Sequence, residues 1–261
     1  MTSFWSPLIK RAKDLSASGE TAELLTFYAG VLRAQQAIYE HLNSVGTGTA
    51  RGGFRDDLSA LLSCLPTLLE VVAETGSELL ANEARRLSGE GQESLRSMLI
   101  SYWQTRADHS FFAKALVQPY ARLMADRGVE QLERRPAIDE SRCPFCGGRP
   151  QLGLFSHEDS DVAEGSRRLL CSTCLSEWPF PRCTCPFCME QRPSNLAYFG
   201  APEFAHVSIE ACDTCSHYFK RIDLTKFGLA APLVDEVASA PLDVWARERG
   251  YRKIELNLVG V

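Results

Sequence analysis

Cys143-Pro-Phe-Cys146 returns as Cys185-Pro-Phe-Cys188, and each is followed by a second pair, Cys171-Ser-Thr-Cys174 and Cys212-Asp-Thr-Cys215. The second pairs trail the first by 24 and 23 residues, so the segment reads as a duplication offset by 41 to 42 positions. A Cys-x-x-Cys turn aims two sulfurs and their neighbouring amides at one point, and two such turns complete a tetrahedron around one metal ion. The pattern therefore predicts two metal sites, one from Cys143, Cys146, Cys171 and Cys174, the other from Cys185, Cys188, Cys212 and Cys215. Packing alone rarely produces four pairs with a repeated internal spacing. Such a donor set accepts zinc or iron, and zinc generally binds more tightly than ferrous iron. Four-thiolate coordination is closed, which weighs against metal hydrolase chemistry.

Short strand-like stretches surround the pairs: 151–157, 168–170 and 178–182 in the first copy, 196–199, 206–209 and 218–224 in the second. Each copy is expected to be a small antiparallel unit stapled by its metal, since so little core would not hold alone. Gly147-Gly148 suits the left-handed backbone expected after a metal knuckle. His157, His206 and His217 fall in the region, but four cysteines already fill each site, so none is expected as a ligand. Trp178, Trp245, Tyr218 and Phe219 are expected to pack over the knuckles. Leu233, Val237, Leu242, Val244 and Trp245 predict one or two covering helices in the tail.

Upstream, the period changes to that of helices. Leu24, Leu25, Phe27, Tyr28, Val31, Leu32, Ile38, Tyr39 and Leu42 recur at helical spacing, and Leu58 through Val72 repeat the pattern after a glycine-rich break. Pro66 should kink that run or open a new helix. Further helices are expected from Ser77 to Leu87, over 91–105, and over 108–134 with Pro119 perturbing it. Trp103, Phe111, Phe112, Leu116, Tyr120 and Leu123 are candidate core, and Cys64 reads as a small core residue. His41 and His109 are expected at the surface or as caps. Periodicity stops near Arg134-Arg135-Pro136. The fold class is α+β: an all-helical domain at 1–140, a first metal unit at 141–182, and a second at 183–261 with a C-terminal helix.

The chain has 28 Lys and Arg against 33 Asp and Glu, a net charge of -5. Residues 141–261 hold 13 of the former and 15 of the latter, which argues against a zinc-ribbon nucleic-acid binder, since that needs a basic face. No run of about 18 apolar residues occurs, so no membrane span is expected. Basic Lys10, Arg11 and Lys13 follow the short apolar start, the reverse of a secretory signal. A reducing, cytoplasmic setting follows, where ten cysteines favour metal ligation over disulfides. A thiol-disulfide oxidoreductase is the remaining alternative, but its pair usually opens a helix in a βαβ setting.

Cys143-Pro-Phe-Cys-Gly-Gly-Arg-Pro, Cys171-Ser-Thr-Cys with Glu177-Trp178, Cys185-Pro-Phe-Cys, and Cys212-Asp-Thr-Cys with Tyr218-Phe219-Lys220 resemble the FdhE family. The resemblance is most specific between residues 142 and 224. It implies two rubredoxin-like units, two iron ions per chain, and a cytoplasmic accessory protein rather than an enzyme. It also implies a partner, the catalytic subunit of a molybdenum- or tungsten-containing formate dehydrogenase, bound before export through the twin-arginine pathway. Redox state could then gate the contact. Cys183, two residues before Cys185, departs from the pattern and reads as a neighbour in the knuckle.

Overall fold

The computed structural model describes residues 4–48, 53–106, 110–129, 140–156 and 166–260. His109, His157 and the break at 134–136 lie outside the described residues. The chain divides into two compact units, 1–133 and 134–261.

Among the described residues the first unit is helical: α1 (Trp5–Leu15), α2 (Ala22–Ser44), α3 (Gly53–Ser63), α4 (Leu65–Thr75), α5 (Glu78–Ser88), α6 (Gln92–Thr105) and α7 (Phe111–Asp126). α2 is central. It buries Leu25, Tyr28, Val31, Leu32, Ile38 and Leu42, and packs against α1, α4 and α7. Pro66 takes the second of the two roles expected for it and opens α4, whose axis lies 52° from that of α3. The Ser77 hydroxyl caps α5 by accepting the Leu80 amide at 3.4 Å. Pro119 sits inside α7 and the helix runs on to Asp126.

The aromatic core is narrower than the sequence suggests. Phe112, Leu116, Tyr120 and Leu123 are buried. Trp103 instead lies part-exposed, stacked on Phe54 at 4.4 Å with the Arg106 guanidinium 3.7 Å from its ring. One buried polar joint interrupts the apolar packing. The Gln35 amide donates to the Ala115 carbonyl and to Gln118 Oε1, at 3.0 and 2.9 Å, so neither glutamine leaves a donor stranded in the core. Cys64 is buried, and its thiol donates to the Ala60 carbonyl at 3.4 Å.

No single helix among the described residues is long and apolar enough to cross a membrane. The pair α3–α4 reaches that length only across its bend, and Leu58, Leu61, Leu65, Leu68 and Val72 of that pair are buried within the unit.

The second unit is built on one seven-stranded sheet: β1 (Pro150–Phe155), β2 (Ser166–Cys171), β3 (Glu177–Pro181), β4 (Leu196–Gly200), β5 (Val207–Cys212), β6 (His217–Asp223) and β7 (Arg252–Lys253). The strand order is β3-β2-β1-β6-β5-β4, with β7 beside β6. Each copy of the duplication is the antiparallel meander its alternation predicts. The two meanders are not separate, however: β1 pairs with β6 in parallel, Leu152 opposite Lys220 and Leu154 opposite Ile222. Each meander alone would leave an unpaired edge, and the parallel joint satisfies both. Gly153 permits the join, because a Cβ there would lie 2.9 Å from the Phe219 ring.

α8 (Pro232–Ala238) and α9 (Ala240–Glu248) cover one face of the second copy, packing on β6 and on β5 with β7. Leu233, Val237 and Leu242 are buried there, whereas Val244 is exposed. Tyr218 and Trp245 belong to this helical side rather than to the knuckles, with the Tyr218 hydroxyl on Asp243 and Trp245 against Phe199.

Candidate metal centres

Eight cysteines gather in two sets of four. In the first, Cys143 Sγ lies 3.4 Å from Cys174 Sγ, and Cys146 Sγ 3.4 Å from Cys171 Sγ. In the second, Cys185 and Cys215 lie 3.8 Å apart, and Cys188 and Cys212 3.7 Å. The ligand atoms of each set all fall within 4.8 Å of one another. A tetrahedron with metal–sulfur bonds of about 2.3 Å has edges of about 3.8 Å, whereas a disulfide brings sulfurs to about 2.05 Å. The spacing therefore fits a tetrahedral four-sulfur site and excludes bonded pairs, and all ten cysteines are free.

None of the four pairs opens a helix; all lie in turns or at strand ends. His206 and His217 stay outside both sets. His206 Nε2 meets Asp235 Oδ1 at 2.8 Å, and His217 Nδ1–H donates to the Cys215 carbonyl at 2.8 Å. His41 is exposed. Cys183 is exposed and belongs to neither set.

The knuckles share one backbone device. The residue after each second cysteine is left-handed: Gly147 at φ 71°, Leu175 at 57°, Met189 at 62° and Ser216 at 55°. In three of the knuckles its amide turns back onto the first cysteine's carbonyl, Gly147 to Cys143 and Met189 to Cys185 at 2.9 Å, Ser216 to Cys212 at 2.8 Å. Three of these residues are not glycine, and such a conformation costs about 1–3 kcal/mol each. A strain repeated at the same place in three of the four knuckles is imposed by the turn that converges the sulfurs. The turn also points amides at sulfur, with Thr173 N–H donating to Cys171 at 3.3 Å and Phe187 N–H to Cys185 at 3.4 Å.

Gly148 meets a different demand. A Cβ there would stand 2.8 Å from Cys171 Sγ and 3.3 Å from Cys146 Sγ. We expect Gly148→Ala to displace the first sulfur set and lower bound metal from two equivalents towards one, as read by elemental analysis of the purified variant. A full two equivalents at unchanged melting temperature would refute that role.

Burial and crowding set the thiol chemistry. Burial pushes Cys171 up, assisted by hydrogen bonds among the four sulfurs, and Cys174 rises chiefly through its bonds to Cys143 and Cys146. Burial likewise raises Cys185 to about 11 and raises Cys215. At Cys212 burial is outweighed by bonds from the Cys215 and Thr214 amides, and the thiol lies below its usual value. Four such groups keep protons that an entering cation would displace, so affinity for a metal rises with pH.

The sets differ in access. All four cysteines of the first are buried, whereas in the second Cys188 is exposed and Cys215 half-buried. A three-layer stack ties the knuckles together. The Arg149 guanidinium lies 4.7 Å from the Phe187 ring, which stacks on His217 at 3.6 Å and 14°.

One buried cluster escapes sequence reading. Lys220, on β6, is fully buried and donates to Asp243 Oδ2 and the Glu236 carbonyl, both at 2.5 Å. Lys253 Nζ meets Glu236 Oε1 at 2.6 Å and Asp243 Oδ1 at 3.0 Å. Gln151 Nε2 on β1 donates to Glu236 Oε2 at 2.5 Å. Two cations and two carboxylates thus lock α8 and α9 onto the sheet. The one available signal is that strand alternation from Tyr218 to Ile222 places Lys220 on the covered face.

Comparison with known proteins places this architecture. Residues 142–182 match the FdhE central domain, and residues 183–259 the FdhE C-terminal domain. A protein FdhE homolog of Aquifex aeolicus is 31% identical over 207 residues, spanning 78% of this chain and 71% of that one. Another, from Pectobacterium carotovorum, is 26% identical over 277 residues, spanning 98% of this chain and 87% of its own. The crystal structure of the FdhE protein from Pseudomonas aeruginosa covers all of this chain and 97% of its own, with a TM-score of 0.76 at 23% identity, which is a likeness of fold. On the strength of the Aquifex relative and the two domain matches, the chain belongs to the FdhE family.

Proposed function

We propose that this protein is a cytoplasmic accessory factor that binds the catalytic subunit of a respiratory formate dehydrogenase before export and turns over no substrate itself. The observation that carries this reading is the pair of closed four-sulfur sets within a chain of the FdhE family. Each donor set fits a metal ion: four sulfurs at tetrahedral spacing, with a backbone amide directed at Cys171 in the first and at Cys185 in the second. Cys143, Cys146, Cys171 and Cys174 would hold one ion, and Cys185, Cys188, Cys212 and Cys215 the other, in units at 141–182 and 183–261 that follow the helical domain at 1–140.

Iron, the metal that the family resemblance favours over zinc, would supply one-electron redox chemistry when bound. The chain's own part is to close every coordination position with thiolate, to soften the sulfur charge with the Thr173 and Phe187 amides, and to present a rigid platform. The mildly acidic charge of -5 fits a protein client better than nucleic acid.

The test is co-purification. The tagged catalytic subunit of a formate dehydrogenase from the same cell should retain this chain, and the Cys143→Ser/Cys185→Ser double variant should be retained at least about tenfold less, a loss of about 1.4 kcal/mol. Absence of retention with the intact, metal-loaded chain would defeat the reading. So would turnover of formate by that chain alone.

A further inference from the structure

The two sulfur sets are built on matching parts. In both, the first cysteine's amide donates to the carbonyl five residues on, Cys143 to Gly148 at 2.9 Å and Cys185 to Glu190 at 2.8 Å. In both, the threonine before the last cysteine aims its amide at the sulfur two residues earlier, Thr173 at Cys171 at 3.3 Å and Thr214 at Cys212. Gly148 and Glu190 therefore occupy one position of the repeat, and Thr173 and Thr214 another. The copies differ at the first of these: one has no side chain there, the other a carboxylate.

In the second copy that carboxylate takes the threonine. The Thr214 hydroxyl donates to Glu190 Oε2 at 2.6 Å, and the Arg192 guanidinium and Asn195 side-chain amide donate to the same oxygen at 2.8 and 2.9 Å. The first copy has no such clasp. Thr173 is 1% exposed, and among the described residues its buried hydroxyl oxygen has no hydrogen-bond partner. A hydroxyl shut away from water without a partner is costly, so one is expected close by.

The partner at hand is sulfur. A Cβ on Gly148 would lie 3.0 Å from Thr173 Oγ1, 2.8 Å from Cys171 Sγ and 3.3 Å from Cys146 Sγ, so the hydroxyl and two sulfurs border one gap that the glycine leaves clear. As thiols the four sulfurs satisfy one another, Cys143 with Cys174 and Cys146 with Cys171, each pair at 3.4 Å. As thiolates around a cation they carry no protons, and each becomes an anionic acceptor, which binds a donor more strongly than a neutral one does. All four are buried, so water cannot solvate that charge and the protein must supply the donors.

We propose that in the loaded first set the Thr173 hydroxyl turns into this gap and donates to the Cys146–Cys171 sulfur pair, tightening the hold on the ion, and that Glu190 denies the second set the same bond by taking Thr214. Thr173 is thus a positioning residue that acts on the ion through sulfur. Glycine at 148 keeps the bond possible, and the carboxylate at 190 forbids its counterpart. The inference rests on the reading of the two sets as metal sites, and it is independent of any formate dehydrogenase partner.

The probe is cobalt(II), titrated into the full chain in competition with a coloured chelator and followed by its thiolate charge-transfer bands. The unaltered chain takes up two equivalents. In Thr173→Val one of them binds at least about tenfold more weakly, the usual cost of losing a partner of a ligand. Part of the band intensity also moves to lower energy, because a thiolate without its donor gives up charge more easily. Thr173→Ser keeps the hydroxyl and restores both readings, and Thr173→Ala repeats the valine result should that variant melt early. Thr214→Val leaves the bands in place. Unchanged affinity and bands in Thr173→Val and Thr173→Ala overturn the proposal, as does a serine variant that behaves like valine or an equal band shift from Thr214→Val. An unaltered chain without charge-transfer bands overturns the metal reading and this bond with it, whereas two normal equivalents that ignore Thr173 overturn the bond alone.

Discussion

Replacing Lys220 by methionine will destabilise the second unit by about 3–5 kcal/mol, because it strips a partner from a buried carboxylate. Lys220 and Asp243 are both fully buried at the side chain, 2.5 Å apart, and Lys220 also serves the Glu236 carbonyl and Ser239. Without it, Asp243 retains Lys253 and the Tyr218 hydroxyl, and the cluster falls from balanced charge to a net of minus one. Burial would raise Asp243, but the two lysines outweigh it and hold the carboxyl below its ordinary range. Removing both partners, as Lys220→Met with Asp243→Leu, should therefore cost less than removing one, since no charge is then left unpaired.

Urea unfolding followed by hydrogen exchange at β5 and β6 amides reads both variants. A loss under about 1 kcal/mol for Lys220→Met would mean the cluster does not bind the helices to the sheet. Burial also pulls Lys220 itself down to about 8 from 10.5. Between those values the unfolded chain binds a proton that the folded chain releases. The lysine's contribution to stability therefore rises as pH climbs from about 8 to about 10.5.

Chelation will remove the two metal ions one after the other, the second set emptying first. Cys188 is exposed and Cys215 half-buried, so a competing ligand can enter there, whereas every sulfur of the first set is covered. Cys185→Ser should leave one slowly released equivalent, and Cys143→Ser one rapidly released. Structural zinc in small knuckle domains contributes about 10–16 kcal/mol of apparent binding free energy at neutral pH, against a typical domain stability of about 5–15 kcal/mol. Loss of either ion therefore unfolds its knuckles rather than loosening them. Elemental analysis and the time course of release check the claim. Release of both ions with one rate constant would refute the asymmetry, and an unchanged two equivalents in both variants would refute two separate sites.

The gathering of the eight thiols is legible in the sequence because a Cys-x-x-Cys turn is local: four residues determine where two sulfurs point. The helices of the first unit from α2 onward and the six longer strands are legible for the same reason, since their periods of 3.6 and 2 are written within each segment, whereas α1 falls outside the predicted helices. The parallel pairing of Leu152 with Lys220 is not. It joins residues distant in the chain, and nothing in the composition of either strand names the other. The buried cluster hides because Lys220, Glu236, Asp243 and Lys253 each look like surface residues alone; only their mutual contact makes burial tolerable. Leu175, Met189 and Ser216 conceal a left-handed backbone that a glycine, as at position 147, announces.

The β1–β6 joint has a consequence for how the chain is made. Once synthesis has passed Cys174, all four sulfurs of the first set exist and can load an ion. β1, however, still offers a bare hydrogen-bonding edge, because its neighbour β6 is among the last strands to appear. A nascent chain thus carries a half-finished sheet, whether or not its first sulfur set is loaded, through most of the second repeat, and its window of vulnerability to wrong pairing closes only when Lys220 is in place.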